Sequence, residues 1–451
     1  MQCDTGRYLS YIVFAPLLKL SLSDDNNRRM AVPPESVPLQ EQAVNFQYHA
    51  LETQSTFRLL RLHGGRGDRI VCSLVHQTLG STTCPLYRAV SYTWGRDTAS
   101  YTIHMPGPSI IKIRENLKNA LRSIRDERSD CWLWIDAICI KQRSNEERNH
   151  QIKLMAEIYS NANVVLVWLQ SANEDADVGT AFDFVRTAVA HDTTDRSVFN
   201  YIQAHFRTSR STWNAVKRLC QLRYWTRKWI IQELVMARSV VLQTGDSQCS
   251  MLDFEKFCGQ LQTHRDQHAY YDATAGSSSE TRETLEFGRN LVSSPAARLV
   301  LQRSAETRGG QPRLLHELIE RYADSVCYLP CDHVYALYSL VGEHRRHLSV
   351  NYAAEPVERF AAVLHFALTH DHLLPAKVLA FASLLMKLLG VTQETVRRRS
   401  AQLENFQLVV PATVVGAVTL QPESEASIAL RTRIEPLQPM RTLTFDTRPE
   451  V

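Results

Sequence analysis

The most constraining feature of this sequence is an alternation of three short apolar runs with two amphipathic segments. The apolar runs cover residues 89–92, 132–140 and 164–169, and the segments between them cover 114–127 and 146–160. Apolar side chains fill the runs nearly throughout, as in strands that helices cover on both faces. Because neighbouring parallel strands need a crossover connection, this order predicts an α/β fold with a parallel sheet and flanking helices.

Both intervening segments have the spacing of a surface helix. In the first, apolar side chains recur at i, i+3, i+4 and i+7 and so form one buried stripe, with charged residues on the other face. The stripe consists of Leu117, Ala120, Leu121 and Ile124. The second segment has a similar stripe, made of Ile152, Met155 and Tyr159, with Ile158 beside it.

Polar and aromatic residues stand at the ends of the apolar runs. Trp94, Gly95 and Arg96 follow the first run, and Asp136 lies within or at the end of the second. Because ligands bind beyond the carboxyl ends of parallel strands, we interpret these four residues as candidate binding residues. Two alternatives stay open, since Trp94 and Gly95 also fit a packed turn and Asp136 also fits a helix cap or an arginine partner.

The composition favours an ordinary globular protein. The 451 residues are 44% hydrophobic and 22% charged, and the net charge of +4 is too small to indicate a nucleic-acid surface. The ten cysteines are scattered, which favours free thiols in a reducing compartment and a cytoplasmic location. The apolar run 378–386 is far shorter than the roughly 20 residues of a membrane span, so none is predicted.

Changes in composition along the chain predict five regions. They are a poorly ordered lead-in at 1–47, an α/β domain at 48–245, a polar and partly flexible insertion at 246–311, a helical region at 312–372 that packs on the α/β domain, and a weakly ordered tail at 373–451. Residues 57–62 and 70–75 are predicted to form a hairpin, because a glycine-rich turn separates two strand-like runs.

Other chemistry is weakly indicated. Cys327, Cys331 and His333 resemble part of a metal site, but their spacing is unusual and no second pair accompanies them, so no metal is predicted. Cys139 lies in an apolar run, where a buried and unreactive thiol is the usual outcome, and there is no nucleophile elbow of the Gly-x-Ser-x-Gly type.

Several linked motifs resemble the heterokaryon incompatibility (HET) domain of filamentous fungi. The motifs are Tyr87–Gly95, Leu133–Gln142, Glu147–Tyr159, Val165–Leu169, Arg223–Ala237 and Asp332–Leu337. The resemblance covers roughly residues 57–367. It implies an effector of nonself recognition and programmed cell death in fungal innate immunity, acting with a protein partner or through self-association.

The HET domain is in turn similar to Toll/interleukin-1 receptor (TIR) domains, which have a flavodoxin-like parallel sheet. In those TIR domains that cleave NAD, a glutamate in the last conserved segment is catalytic, and the matching position here is Glu233. The resemblance therefore implies a candidate NAD glycohydrolase, with NAD as substrate and no tightly bound cofactor.

The residue types suit this chemistry. Loss of nicotinamide from ribose passes through an oxocarbenium-like transition state, which one fixed carboxylate such as Glu233 can stabilise. Trp94 or Trp229 offers a stacking surface for a planar ring, and Arg96 offers forked donors for a phosphate. Two alternatives stay open: Glu233 as a surface carboxylate paired with a basic residue, and the whole domain as a non-enzymatic module that signals by oligomerising.

Overall fold

The three apolar runs contain three neighbouring strands at the centre of one seven-stranded sheet. The structure is a computed structural model, and it describes residues 44–95, 97–169, 178–190, 209–268, 279–307, 313–392, 394–396, 408–410 and 441–443. The strands of the large sheet are β2 (Thr56–Leu62), β3 (Cys72–Thr78), β4 (Arg88–Tyr92), β7 (Cys131–Trp134), β8 (Val164–Trp168), β9 (Val240–Thr244) and β10 (Ser247–Ser250). Their order across the sheet is β10-β9-β8-β4-β7-β2-β3.

The sheet is mixed, so the predicted parallel sheet describes only its four central strands. Strands β7, β4, β8 and β9 run parallel to their neighbours in this group. Strands β2, β3 and β10 are antiparallel to theirs. The reason lies in short connections, because a tight turn can join only antiparallel strands, and β9 reaches β10 through a turn at Gly245 and Asp246. The predicted hairpin is confirmed as β2 and β3, paired from Thr56–Thr78 to Leu62–Cys72.

A smaller sheet and a separate strand pair complete the β-structure. The smaller sheet contains β1 (Val44–Asn45), β5 (Tyr101–His104) and β6 (Ser109–Ile113) in the order β1-β6-β5. Strands β11 (Leu408–Val410) and β12 (Arg441–Leu443) pair antiparallel.

Both predicted surface helices are confirmed. Helix α1 (Glu115–Ile124) buries the four stripe residues and adds Asn116 to its buried face. Helix α3 (Asn145–Asn161) begins at the N-cap Ser144, whose Oγ accepts the Glu147 amide at 3.2 Å. Its buried side chains include Ile152, Met155, Ile158 and Tyr159, as the spacing predicted.

The second apolar run is not one strand. Strand β7 ends at Trp134, and residues Asp136–Cys139 form a short helix, α2. Asp136 accepts the Ala137 amide with its own side chain at 2.7 Å, and the Cys139 amide bonds back to the Ile135 carbonyl at 2.7 Å. Since strand and helix are both buried here, periodicity could not separate them. Cys139 is buried, as predicted, but on a helix.

The remaining helices lie after β8. They are α4 (Val178–Ala190), α5 (Arg210–Gln221), α6 (Ile230–Val235), α7 (Met251–His268), α8 (Ser279–Val292), α9 (Pro295–Thr307), α10 (Leu315–Arg321), α11 (Asp332–Tyr335), α12 (Pro356–Thr369) and α13 (Val378–Leu389). The stretch predicted as a polar insertion thus contributes three helices, and Phe254 and Val300 on two of them are fully buried. The division into five regions stays a prediction. Within the described helices, none has both the length and the apolar content needed to cross a membrane.

Candidate functional site

Glu233 is buried where helix α6 packs beside the carboxyl end of β4. All six residues of α6 are buried, and Glu233 is 2% exposed. Ser91 on β4 donates its hydroxyl to the Glu233 carboxylate. The Tyr224 hydroxyl lies 2.7 Å from Ser91 Oγ and donates to it, because the serine hydrogen is already engaged. The alternative interpretation of Glu233 as a surface carboxylate is therefore wrong.

The environment of Glu233 changes its acidity. Burial raises the pKa of Glu233 to about 7, and the negative charge of Asp136 acts in the same direction. The positive charge of Arg227 and the Ser91 hydrogen bond oppose this increase. A carboxyl group with a pKa near neutrality can both accept and release a proton at physiological pH.

Trp94 and Asp136 lie together, as their positions after neighbouring strands predicted. The Trp94 indole N–H donates to both Asp136 oxygens, at 3.2 and 3.1 Å. The Arg114 guanidinium lies 5.8 Å from the centre of the Trp94 ring. The pKa of Asp136 lies above its ordinary value because the side chain is buried. The charge of Arg227 and the Trp94 hydrogen bond oppose this increase.

Arg227 links the two carboxyl groups electrostatically. Its charge acts on the pKa values of both Glu233 and Asp136. Its Nη1 atom is buried and makes no hydrogen bond within the described part of the chain. The cluster of Ser91, Tyr224, Arg227, Asp136 and Glu233 therefore combines two acids and one cation, with the Ser91 hydroxyl on Glu233 and the Tyr224 hydroxyl on Ser91.

Sequence reasoning missed Ser91, Tyr224 and Arg227. Ser91 stands inside an apolar strand, where a hydroxyl is unusual, and this was the available signal. Arg227 belongs to a basic pair before α6 that resembles a surface segment. No local pattern marks Tyr224, because its contact with Ser91 joins residues 133 positions apart.

The other predicted site residues are placed differently. The Trp229 side chain interacts with the Asp332 carboxylate, outside the cluster, and lowers its pKa. Arg96 lies outside the described residues. Gly95 is an exposed turn residue with φ of +82°. Among the described residues, no three His, Cys, Asp or Glu side chains are grouped as metal ligands would be.

Gly95 gives a direct test of the turn after β4. A Cβ atom at this position would lie 2.5 Å from Asp97 Oδ1, and Asp97 Oδ2 accepts the Glu115 amide at the start of α1 at 3.1 Å. We expect Gly95→Ala to lower the free energy of unfolding by about 2 kcal/mol, from backbone strain plus this clash. Chemical denaturation measures the change.

Gly107 is the matched control, because it also has a positive φ, of +68°, but open space around its Cα. Gly107→Ala should therefore cost only the backbone strain, about 1 kcal/mol. Equal losses for the two variants would show that the Asp97 contact does not matter.

Comparison with known proteins agrees with the motifs. Residues 87–233 match the family described as heterokaryon incompatibility protein (HET). Heterokaryon incompatibility protein 6, OR allele, of Neurospora crassa is 36% identical over a match that covers 28% of this chain and 21% of that protein. The chain thus covers about one fifth of the length of this relative. No solved structure matches the chain significantly. The chain contains a heterokaryon incompatibility domain, over residues 87–233, and is related to the fungal heterokaryon incompatibility proteins.

Proposed function

We propose that this chain is an effector of fungal nonself recognition and programmed cell death whose HET domain hydrolyses NAD through Glu233. One observation carries the proposal: a buried carboxyl group with a pKa of about 7 lies beside the carboxyl end of a central parallel strand. Perturbed carboxyl groups at such positions are typical of catalytic sites. Asp136, one of its electrostatic neighbours, is bonded to an indole that could pack against a planar base.

The order of the parallel strands supports a relationship to TIR domains. Numbered along the chain, the four parallel strands are β4, β7, β8 and β9, and across the sheet they run second, first, third, fourth. This is the order of flavodoxin-like folds, in which ligands bind where the first and third strands adjoin. Ser91, the partner of Glu233, lies on the first of these strands.

In the proposed reaction the bond between C1′ of the ribose and the nicotinamide nitrogen breaks, and its electron pair leaves with nicotinamide. Ionised Glu233 stabilises the positive charge that develops on the ribose. Water then forms the new bond to C1′ and gives a proton to Glu233. Ser91, which the Tyr224 hydroxyl holds in place, orients the carboxyl group during these steps.

A second function is favoured by the burial of Glu233. Because Glu233 is only 2% exposed, NAD cannot reach it in the described conformation. Neighbouring residues would have to move first. A module that signals by self-association needs no such access. In that case the buried cluster would stabilise the fold and take no part in chemistry.

Glu233→Gln distinguishes the two functions. We expect the purified wild-type chain to consume NAD, the Glu233→Gln variant to fall to background, and its toxicity on overexpression to be lost. Glu146→Gln is the control, because Glu146 is an exposed carboxylate of α3. Unchanged NAD consumption by Glu233→Gln would exclude Glu233 from catalysis. Absence of NAD turnover together with concentration-dependent self-association of the wild type would favour the assembly module.

A further inference from the structure

The helix that carries Glu233 depends on its surroundings. Helix α6 has six residues, and isolated helices of this length do not persist in water. The residues that hold its two ends come from outside the 87–233 match to the HET family. The position of Glu233 is therefore set partly by the downstream part of the chain.

The segment before α6 is attached to a loop around Val326. The Val326 amide donates to the Thr226 carbonyl at 2.6 Å, and the Lys228 amide donates to the Val326 carbonyl at 2.9 Å. The buried Lys228 ammonium donates to the Tyr322 carbonyl at 2.6 Å. These bonds flank Arg227, the cation that faces Glu233 and Asp136.

Asp332 holds the next residue, Trp229, which is the N-cap of α6. The Asp332 carboxylate is 5% exposed and accepts a hydrogen bond from the Tyr352 hydroxyl at 2.6 Å. The Trp229 side chain also interacts with this carboxylate and lowers its pKa, against the effect of burial. Tyr352 is fixed in turn on α3. Its amide donates to Asn149 Oδ1 at 3.0 Å, and the Arg148 guanidinium lies 3.8 Å from the centre of its ring. A continuous path of contacts thus joins α3 to the start of α6.

Arg303 holds the other end of α6. Its Nε donates to the Leu234 carbonyl at 2.9 Å and its Nη2 to the Ala237 carbonyl at 3.1 Å. It also forms a buried ion pair with Glu255. A cation at this end both satisfies terminal carbonyls and interacts favourably with the helix dipole.

We propose that Asp332 is a positioning residue for Glu233: by binding Trp229 it fixes α6, so that the downstream helical region completes the site of the HET domain. For its catalytic meaning this inference rests on the proposed function, whereas its structural meaning does not. Asparagine at position 332 would keep the size of the side chain but lose the charge that interacts with Trp229 and with the Tyr352 hydroxyl. Helix α6 would then relax, and Glu233 would gain contact with water.

A double-mutant cycle tests this without using NAD. Free energies of unfolding are measured at pH about 5 and about 8 for the wild type, Asp332→Asn, Glu233→Gln and the double variant. With Asp332 intact, the protein that has Glu233 should lose free energy of unfolding between pH about 5 and about 8, and the Glu233→Gln variant should lose less. The gap between these two losses is the Glu233-dependent difference. In the Asp332→Asn background we expect this Glu233-dependent difference to be at least halved, because a hydrated carboxyl group has an ordinary pKa.

Asp324→Asn is the matched control, because Asp324 is an exposed carboxylate before the same Val326 loop. It should leave the Glu233-dependent difference unchanged. If Asp332→Asn is too unstable to measure, Tyr352→Phe removes one donor to Asp332 and keeps the ring beneath Arg148, and it should move the difference in the same direction. A full Glu233-dependent difference in Asp332→Asn, or in Tyr352→Phe where that variant is the one measured, would overturn the inference.

NAD turnover gives the second measurement. If the wild type hydrolyses NAD, Asp332→Asn should lower kcat by about 100-fold with little change in KM, because misplacing a reacting group acts on the chemical step. The inference would also be overturned if Asp332→Asn changed kcat and KM by no more than Asp324→Asn does. If the wild type does not hydrolyse NAD but the cycle shows coupling, the proposed function fails and the positioning role stands.

Discussion

Raising the pH from about 4.5 to about 7 is expected to remove about 3 kcal/mol of unfolding free energy from the wild type, relative to the Glu233→Gln variant. In the folded protein, burial raises the pKa of Glu233 from 4.5 to about 7. Between these values the unfolded chain releases a proton that the folded chain retains, so the unfolded state becomes more favourable. The difference is absent below about 4.5 and complete above about 7, and each unit of pKa corresponds to about 1.4 kcal/mol.

Urea denaturation across this pH range measures the effect as the difference between the two proteins. Groups that do not interact with Glu233 titrate in both proteins and so largely cancel, whereas the interaction of Asp136 with Glu233 is part of the measured difference. Glu146→Gln should run parallel to the wild type at every pH, because Glu146 is exposed. If the Glu233→Gln curve were also parallel to the wild type, Glu233 would have to be solvated or ionised in the folded protein.

The parts of the fold that follow from local pattern could be predicted. Helices α1 and α3 have the 3.6-residue spacing of an apolar stripe, and the structure buries those stripes. Strands β4 and β8 have the continuous apolar character of covered strands, and they pair in parallel. The direction of β10 could not be obtained in this way, because it depends on a two-residue turn that no apolar pattern marks.

The candidate site could be predicted only in part. Trp94 and Asp136 both follow neighbouring central strands, and their contact follows from that geometry. Glu233 was expected near Trp229 because they stand one turn apart, but the Trp229 side chain interacts with Asp332, 103 residues away. Contacts over such separations depend on the packing of whole elements, and local spacing carries no information about them.

Breaking a buried ion pair beneath the Asp136 turn should destabilise the protein strongly. Arg58 on β2 is 1% exposed and binds both Glu147 carboxylate oxygens, at 2.6 and 3.0 Å. Removing one partner of such a pair leaves an uncompensated charge, which typically costs about 3 to 5 kcal/mol. We expect Glu147→Gln to lower the free energy of unfolding by about 3 kcal/mol, because Arg58 keeps its bonds to the Cys139 and His49 carbonyls.

The same pair holds the chain that follows Asp136. Arg58 binds the Cys139 carbonyl at 3.0 Å, and Glu147 accepts the Lys141 amide at 2.7 Å. Loss of the carboxylate should therefore loosen the end of α2 as well as β2. A decrease in the protection of the Lys141 amide from hydrogen exchange would detect this local effect.

The pH dependence distinguishes the ion pair from simple loss of packing. Burial works against ionisation of Glu147, but the bonds from Arg58 and Lys141 bring its pKa below the ordinary value of 4.5. The stabilisation is therefore present above about 4.5 and is lost as the pH falls through the lower pKa of the folded state. The difference between the wild type and Glu147→Gln should shrink in acid, whereas Glu146→Gln, one residue away and exposed, should differ little from the wild type at any pH. A loss for Glu147→Gln that is the same in acid and at neutral pH would show that shape, and not charge, makes this pair important.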